Sequence, residues 1–269
     1  MSAFWLLVRA DVLREARRRW FIAVVVAGFV ASLIVVIGAR TASEIDDTFR
    51  SGGASVLLLG GLVAALGLGS TAFWRDIQSG SLGLAAATGT ARGVVASSRA
   101  VSRLLMLAGV LAVWTITLVG GAVVAGLGLY GPFVTHALAE YVTLAIALLA
   151  TAAASTVLGP WVAAIIGLMV HITAQATVNL SAAADVGRLG SANRLAHVAY
   201  NMLPHTIVSP MIAEMQNRDA GGPAAPQFEI NGLPVPIHAS TVGSVFWTIA
   251  WCGFLAWLCF VGIRRRNLN

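Results

Sequence analysis

Polar side chains that could do chemistry are sparse in this sequence, and they fall into two groups. The first is the basic segment from Trp74 to Arg103, which holds four arginines, Asp76 and several glycines between two long apolar runs. The pattern predicts a helix-forming connector at the membrane surface, where it could transmit force from a cytoplasmic partner. A solvated loop that merely joins two spans fits the same pattern equally well.

The second group is a polar stripe within an apolar run. His171, Gln175 and Asn179 are spaced four apart, so they share one face of a predicted helix. Polar groups in hydrocarbon need partners or water, which favours a translocation path. Hydrogen bonds that hold neighbouring helices together are the alternative. Both interpretations of the stripe stay open.

The motifs of common hydrolytic and metal-binding sites are absent from the sequence. The chain contains no lysine, so it has no phosphate-binding loop that ends in Gly-Lys, and it has no HExxH, CxxC or GxSxG motif. None of the five histidines has a second His or Cys at ligand spacing, so no metal site is predicted, although a haem or metal contact stays open. Cys252 and Cys259 lie two helical turns apart, about 10 Å, which predicts packing rather than a disulfide. We expect a chain that is not an enzyme and binds no cofactor by itself.

The composition is that of an integral membrane protein. Of the 269 residues 58% are hydrophobic and 10% are charged, too few charged side chains to cover a water-soluble fold. About 20 apolar residues span a bilayer as a helix, and six uninterrupted runs reach this length, which favours helices over barrel strands. We predict an all-α integral membrane protein, a single transmembrane domain over residues 1–269. The six predicted transmembrane helices are residues 20–39, 53–73, 104–129, 137–157, 161–180 and 241–263.

Three segments outside the spans have predicted roles. Residues 1–19 predict an N-terminal interfacial helix, with apolar residues on one face and arginines such as Arg14 and Arg18 towards the lipid headgroups. Residues 74–103 are the predicted cytoplasmic coupling segment, with its coupling helix. Residues 181–240 form the predicted extracytoplasmic region, with re-entrant or short helices before the last span and a small hairpin at an Asn-Gly turn.

A ridge of small side chains follows the second predicted span. Gly61, Ala65 and Gly69 recur at every fourth position, so they form a smooth surface that lets another helix approach closely. We predict a helix-packing face here, with a dimer contact as one use for it.

The arginines set the predicted orientation, since short cytoplasmic loops retain cations. Alternating spans place twelve of the 17 arginines on one side, and the other five lie opposite among seven acidic residues. Both termini are therefore predicted to be cytoplasmic. The formal charge of +6 is dispersed over three segments and reflects this topology, so no nucleic-acid partner is expected.

Two stretches carry a family resemblance: Arg17-Arg18-Arg19-Trp20 before the first span, and the run from Arg75 to Leu82 after the second. With six spans and an outer region before the last one, the chain resembles the permease subunit of an ABC-2-type ATP-binding-cassette exporter. In that family the connection after the second span acts as the coupling helix that touches the nucleotide-binding subunit. The resemblance assigns the coupling role to Arg75, Asp76, Gln78, Ser79, Gly80, Ser81 and Leu82.

The resemblance also implies the partners. Two copies of this subunit, as a homodimer, would assemble with two cytoplasmic ABC ATPase subunits that bind the ATP and Mg²⁺. The protein would lie in the bacterial cytoplasmic membrane, in contact with membrane lipid, and would export a lipid, drug, peptide or glycan along His171, Gln175 and Asn179. Two alternatives from other classes stay open: an ion-gradient-driven secondary carrier and a non-transporting membrane assembly subunit.

Overall fold

Six long apolar helices dominate the computed structural model of the chain, which describes residues 3–42, 45–80, 91–127, 130–185, 189–206, 227–230, 233–236 and 241–265. Within these ranges six helices are long and apolar enough to cross a membrane. The predicted class, a multi-pass helical membrane protein, is confirmed at this level. The candidate spans are Arg19–Thr41, Ile45–Gln78, Arg92–Val124, Gly131–Ser155, Pro160–Thr177 and Phe246–Arg265.

The helices are numbered here in chain order. They are α1 (Ala3–Ala16), α2 (Arg19–Thr41), α3 (Ile45–Ser55), α4 (Gly61–Ser70), α5 (Trp74–Gln78), α6 (Arg92–Val124), α7 (Tyr130–Ser155), α8 (Pro160–Asp185), α9 (Asn193–Met202) and α10 (Thr241–Arg265). A π-helical turn, Val56–Gly60, joins α3 to α4, and a 3₁₀ turn, Gly190–Ala192, precedes α9.

The core of the protein is built around α7, which packs against α4, α6, α8 and α10. Residues 143–152 of this helix are all buried. Most of them are Ala or Leu, so small side chains alternate with large ones and the neighbouring helices can approach from several directions. Leu144 and Leu148 are fully buried at its centre.

The ridge of small residues on α4 lies against α7 of the same chain. A Cβ atom on Gly61 would stand 2.5 Å from Leu144 Cδ1, and one on Gly69 would stand 2.6 Å from the Leu148 carbonyl oxygen. Ala65, between them, is fully buried. The ridge is therefore a contact inside one chain, and the expectation that it faces a second copy in a dimer is corrected.

The third span begins earlier than predicted. Its helix, α6, starts at Arg92 rather than at residue 104, so Arg99 and Arg103 lie on its first turns and not on a separate connector. Of the predicted coupling segment 74–103, α5 continues the second span and residues 81–90 lie outside the described ranges. Hydropathy predicts only the apolar part of the third span. The α6 helix extends beyond that part because its charged side chains find partners, as described below.

The segment after α9 is fastened to two spans. Trp247 Nε1 donates a hydrogen bond to the Leu203 carbonyl oxygen over 3.0 Å, and Thr177 Oγ1 lies 3.5 Å from the carbonyl oxygen of Pro204. Strands β1 (Gln227–Ile230) and β2 (Leu233–Pro236) form an antiparallel pair. The rest of the predicted outer region, between residues 207 and 226 and around the hairpin, lies outside the described residues.

Candidate functional site

A buried group of charged side chains joins three helices at one end of the bundle. Asp11 and Glu15 lie four apart on the inner face of α1 and are only 1% and 0% exposed. Asp76 on α5 is 2% exposed, and Arg103 on α6 is fully buried. We call this group the ionic cluster. Its members are Asp11, Arg14, Glu15, Arg18, Asp76, Arg99 and Arg103.

Two arginines in the ionic cluster bridge the same pair of carboxylates, Asp11 and Asp76. Arg14 Nη2 lies 2.8 Å from Asp11 Oδ1, and Arg14 Nη1 lies 3.0 Å from Asp76 Oδ1. Arg99 also contacts Asp11, and its Nη2 lies 2.8 Å from Asp76 Oδ2. Ser102, next to Arg103 on α6, donates a hydrogen bond to Asp11. The first helix, the end of the second span and the start of the third are thus connected through two carboxylates.

Glu15 anchors the other side of the ionic cluster. Arg18 Nη1 donates to Glu15 Oε1 over 2.9 Å, and Trp20 Nε1 donates to the same oxygen over 3.2 Å. Arg103 Nη1 stands 3.0 Å from Glu15 Oε2, an ion pair whose angle does not make a hydrogen bond. Glu15 therefore links α1 both to the first turn of α2 and to α6.

Burial makes the pairing of charges in the ionic cluster energetically important. A buried ion without a partner costs several kcal/mol, roughly 3–5 when one member of a pair is removed, so each charge fixes the position of its neighbours. Burial lowers the pKa of Arg18, and Glu15 opposes this shift. Burial also acts on Arg14, but Asp76 and Asp11 more than offset it and raise the pKa of this guanidinium. Both groups stay charged at neutral pH.

The predicted coupling residues lie on two different sides of α5. Asp76 points inward to Arg14 and Arg99, while Arg75, Gln78, Ser79 and Gly80 are exposed. Any part of Asp76 in coupling must therefore pass through the ionic cluster and not through direct contact with a partner. Ser81 and Leu82 lie outside the described residues.

The polar stripe on α8 does not form one open surface. His171 is 7% exposed and lies on the helix face that includes Gly167 and Ala174. A Cβ atom on Gly167 would stand 3.0 Å from the Ala147 carbonyl oxygen, so this face packs against α7. Gln175 is partly exposed, and the side chain of Asn179 lies outside the described residues. A path between two copies would not include the His171 side chain in this arrangement.

Two of the arginines predicted to face lipid headgroups have carboxylate partners in the structure, since Arg14 and Arg18 belong to the ionic cluster. Trp5, on the predicted apolar face of α1, is exposed. Asp11 and Glu15, the inner anchors of the helix, were not predicted.

A sequence signal for this pairing exists. Asp11 and Glu15 have the same four-residue spacing as Arg99 and Arg103, with opposite charge, in two segments that flank spans on the same side.

The arrangement can link helices mechanically, because its ion pairs join α1, α5 and α6. In the part of the chain that the structure describes, no group of three or more His, Cys, Asp or Glu side chains could hold a metal ion. Comparison with known protein families and with characterised protein sequences finds no match. A function for this chain therefore has to be argued from its helices and its ionic cluster.

Proposed function

We propose that this chain is the membrane-spanning permease subunit of an ABC exporter, driven by a separate ATPase subunit that binds the ATP and Mg²⁺. The observation that carries the proposal is the ionic cluster beside the exposed end of α5. A push on Arg75 or Gln78 from outside the membrane moves Asp76, and Asp76 holds Arg14 on α1 and Arg99 on α6. Movement at one short helix is thereby passed to two others, α1 and the start of the third span.

Two further features support an external source of energy. Six candidate spans fill most of the described chain, and a sequence without lysine has no phosphate-binding loop of its own. The assembly we propose is a homodimer of this subunit with two ATPases in the bacterial cytoplasmic membrane. Its substrate belongs to the lipid, drug, peptide or glycan classes, and both termini of the permease are cytoplasmic.

The test separates contact with the ATPase from transmission of its motion. The tagged chain is purified with the ATPase subunit that binds it, placed in lipid nanodiscs, and assayed for ATP hydrolysis. We expect Gln78→Arg, on the exposed side of α5, to weaken binding of the ATPase. Asp76→Asn, inside the ionic cluster, should retain the ATPase but lower the hydrolysis rate, because α5 no longer holds α1 and α6.

Arg9→Gln is the matched control, since Arg9 is exposed on α1 and takes no part in the ionic cluster. It should hydrolyse ATP at the rate of the unmodified complex. The proposal fails if no ATPase with a phosphate-binding loop co-purifies with the chain. It also fails if Asp76→Asn and Arg9→Gln give the same rate as the unmodified protein.

A further inference from the structure

A lateral groove opens between the first and second spans, on the side of the bundle away from α7. Its walls are Val24 and Ala31 on α2 and Leu59 and Val63 on the second span, and its volume is about 410 Å³. This volume falls within the roughly 300–1,000 Å³ of typical small-molecule sites. All of the lining residues lie within the described part of the chain.

The floor of the groove depends on glycine. The Trp114 indole of α6 lies beneath Gly28 and Gly60, and a Cβ atom on Gly60 would stand 2.8 Å from Trp114 Cζ3. The Trp114 Nε1 atom donates a hydrogen bond to the Val25 carbonyl oxygen over 3.0 Å, which fixes the ring in place. The two glycines thus bring α2 and the second span close to α6 while leaving a trough between their outer sides.

The backbone of the second span is irregular at the groove. The π-helical turn Val56–Gly60 forms part of one wall. Such turns are rare and occur often at functional sites, because the extra residue in the turn redirects the side chains that follow. The turn contains Leu59, which is exposed beside the groove, and Gly60, whose backbone lies against the Trp114 ring.

The position of the groove selects its ligand. Gly28 lies near the middle of α2 and Gly60 near the middle of the Ile45–Gln78 helix, so the groove opens at the centre of both spans. Among the lining residues only Ser55 has a hydroxyl group, and that hydroxyl already donates to the Ser51 carbonyl oxygen over 2.8 Å. A headgroup or a charged solute would find no partner there.

The dimensions favour a thin chain over a helix. The α2 wall from Val24 to Ala31 is about 10 Å long at 1.5 Å per residue, and a 10 Å length of helix, about 10–12 Å wide with its side chains, occupies roughly 800–1,100 Å³. The groove volume of about 410 Å³ is too small for it. Lipid tails are as apolar as leucine, so the hydrophobic effect does not drive an acyl chain from the bilayer into the groove. The driving force is the dispersion contacts that the groove walls would lack if the groove were empty. We propose that the groove binds one acyl chain of a bilayer phospholipid at its middle carbons. This inference does not depend on the proposed export function.

A photoreactive lipid tests the proposal. The full chain is reconstituted in phosphatidylcholine vesicles that contain a small fraction of phosphatidylcholine with a mid-chain diazirine, and adducts are mapped by mass spectrometry after irradiation. We expect several-fold more adducts at Leu59 and Val63 than at Phe254 and Trp257, which are also exposed and lie near the middle of the last span. Uniform labelling of all exposed apolar residues would overturn the proposal.

A filled groove provides the second arm. Ala27→Leu together with Ala31→Leu places bulk in the trough and should reduce the adducts at Leu59 and Val63 several-fold. Ala250→Leu, on an exposed face of α10, is the matched control and should leave them unchanged. Adducts that persist in the filled protein would contradict the proposal. If Leu59→Cys cross-links two copies and the lipid adducts are absent, a second copy occupies the groove instead. The labelling map of the unmodified chain decides the question even if the filled protein does not fold.

Discussion

At the scale of single residues, the notable property of the ionic cluster is that every carboxylate has at least two arginine neighbours. Asp11 and Asp76 share Arg14 and Arg99, and Glu15 contacts Arg18 and Arg103. Sharing keeps each buried acid compensated when one arginine shifts, which suits a cluster that must move as a unit. The arginines of the ionic cluster differ in burial, and Arg103 is the one that has no exposure to water.

Replacing Arg103 with Met tests this inequality. Arg103→Met leaves Glu15 with only Arg18 and Trp20, and breaking a buried pair of this kind costs about 3 kcal/mol of unfolding free energy. The exposed Arg17 is the matched control, and Arg17→Met should change stability by no more than about 0.5 kcal/mol. The measurement is reversible unfolding in mixed micelles followed by circular dichroism. Adding Glu15→Gln to Arg103→Met should restore part of the loss, and equal stability of the two single variants would refute the role of Arg103.

We expect His205, after α9, to make the stability of the protein depend on pH. It is buried and its ring stacks on Tyr200 with centroids 4.3 Å apart. Burial lowers the pKa of His205, although backbone groups of Tyr200 and Leu203 oppose the shift. Below the ordinary value of about 6.5 the His205 ring therefore binds a proton more readily in the unfolded chain than in the folded chain. The stability of the folded protein decreases as the pH is lowered.

The unmodified protein is expected to be less stable at pH 5 than at pH 7.5. This difference should be smaller in His205→Phe, which keeps the aromatic stack. Unfolding midpoints at both pH values measure it. The other histidines are present in both proteins, so their contributions cancel in the comparison. A variant with the same acid sensitivity as the unmodified chain would show that His205 does not contribute.

At the scale of elements, the sequence predicts the helices whose length and hydropathy suit a bilayer. It does not predict the features that depend on tertiary contacts. Runs of apolar residues located all six long helices, because length and hydropathy alone decide whether a helix can cross hydrocarbon. The start of α6 at Arg92 and the inner face of α1 depend on ion pairs between residues far apart in the chain, such as Arg14 with Asp76. The π-helical turn before Gly61 has no periodic signature either.

The contact between α4 and α7 gives a prediction about helix packing. Gly69→Ala puts a methyl group 2.6 Å from a backbone oxygen that cannot move alone, so the two helices must separate. Overpacking of this kind costs about 1–3 kcal/mol. Gly109→Ala on α6 is the matched control, because nothing lies within 4 Å of the added methyl group. It should stabilise the helix by up to about 1 kcal/mol.

Unfolding free energies in mixed micelles would separate the two glycines, with opposite signs expected. A loss of stability in both would mean that glycine matters for backbone conformation rather than for close approach. No change in either would mean that α4 and α7 are not tightly packed.

At the scale of the whole molecule, the six candidate spans are an even number, so a chain that crosses at each of them returns to the side on which it began. The ionic cluster, the exposed end of α5 and the last residue of α10 then lie at one end of the bundle. This end carries most of the exposed arginines that the structure describes. They are Arg9, Arg14, Arg17, Arg19, Arg75, Arg92, Arg264 and Arg265. Short segments rich in arginine are retained in the cytoplasm, so this end is predicted to face the cytoplasm, where an ATPase would meet it.

The sidedness can be measured with single cysteines. In a background where Cys252 and Cys259 are replaced by Ala, cysteines are introduced at Gln78, Arg265, Arg40 and Leu195, all of them exposed positions. A membrane-impermeant maleimide added to intact cells should label the cysteines at positions 40 and 195, and should label those at 78 and 265 only after the membrane is permeabilised. The reverse pattern would place the ionic cluster outside the cell, beyond the reach of any ATP-driven partner. Labelling at 78 and 265 on opposite sides would mean that one of the four candidate spans between them does not cross, since an even number of crossings places both positions on the same face.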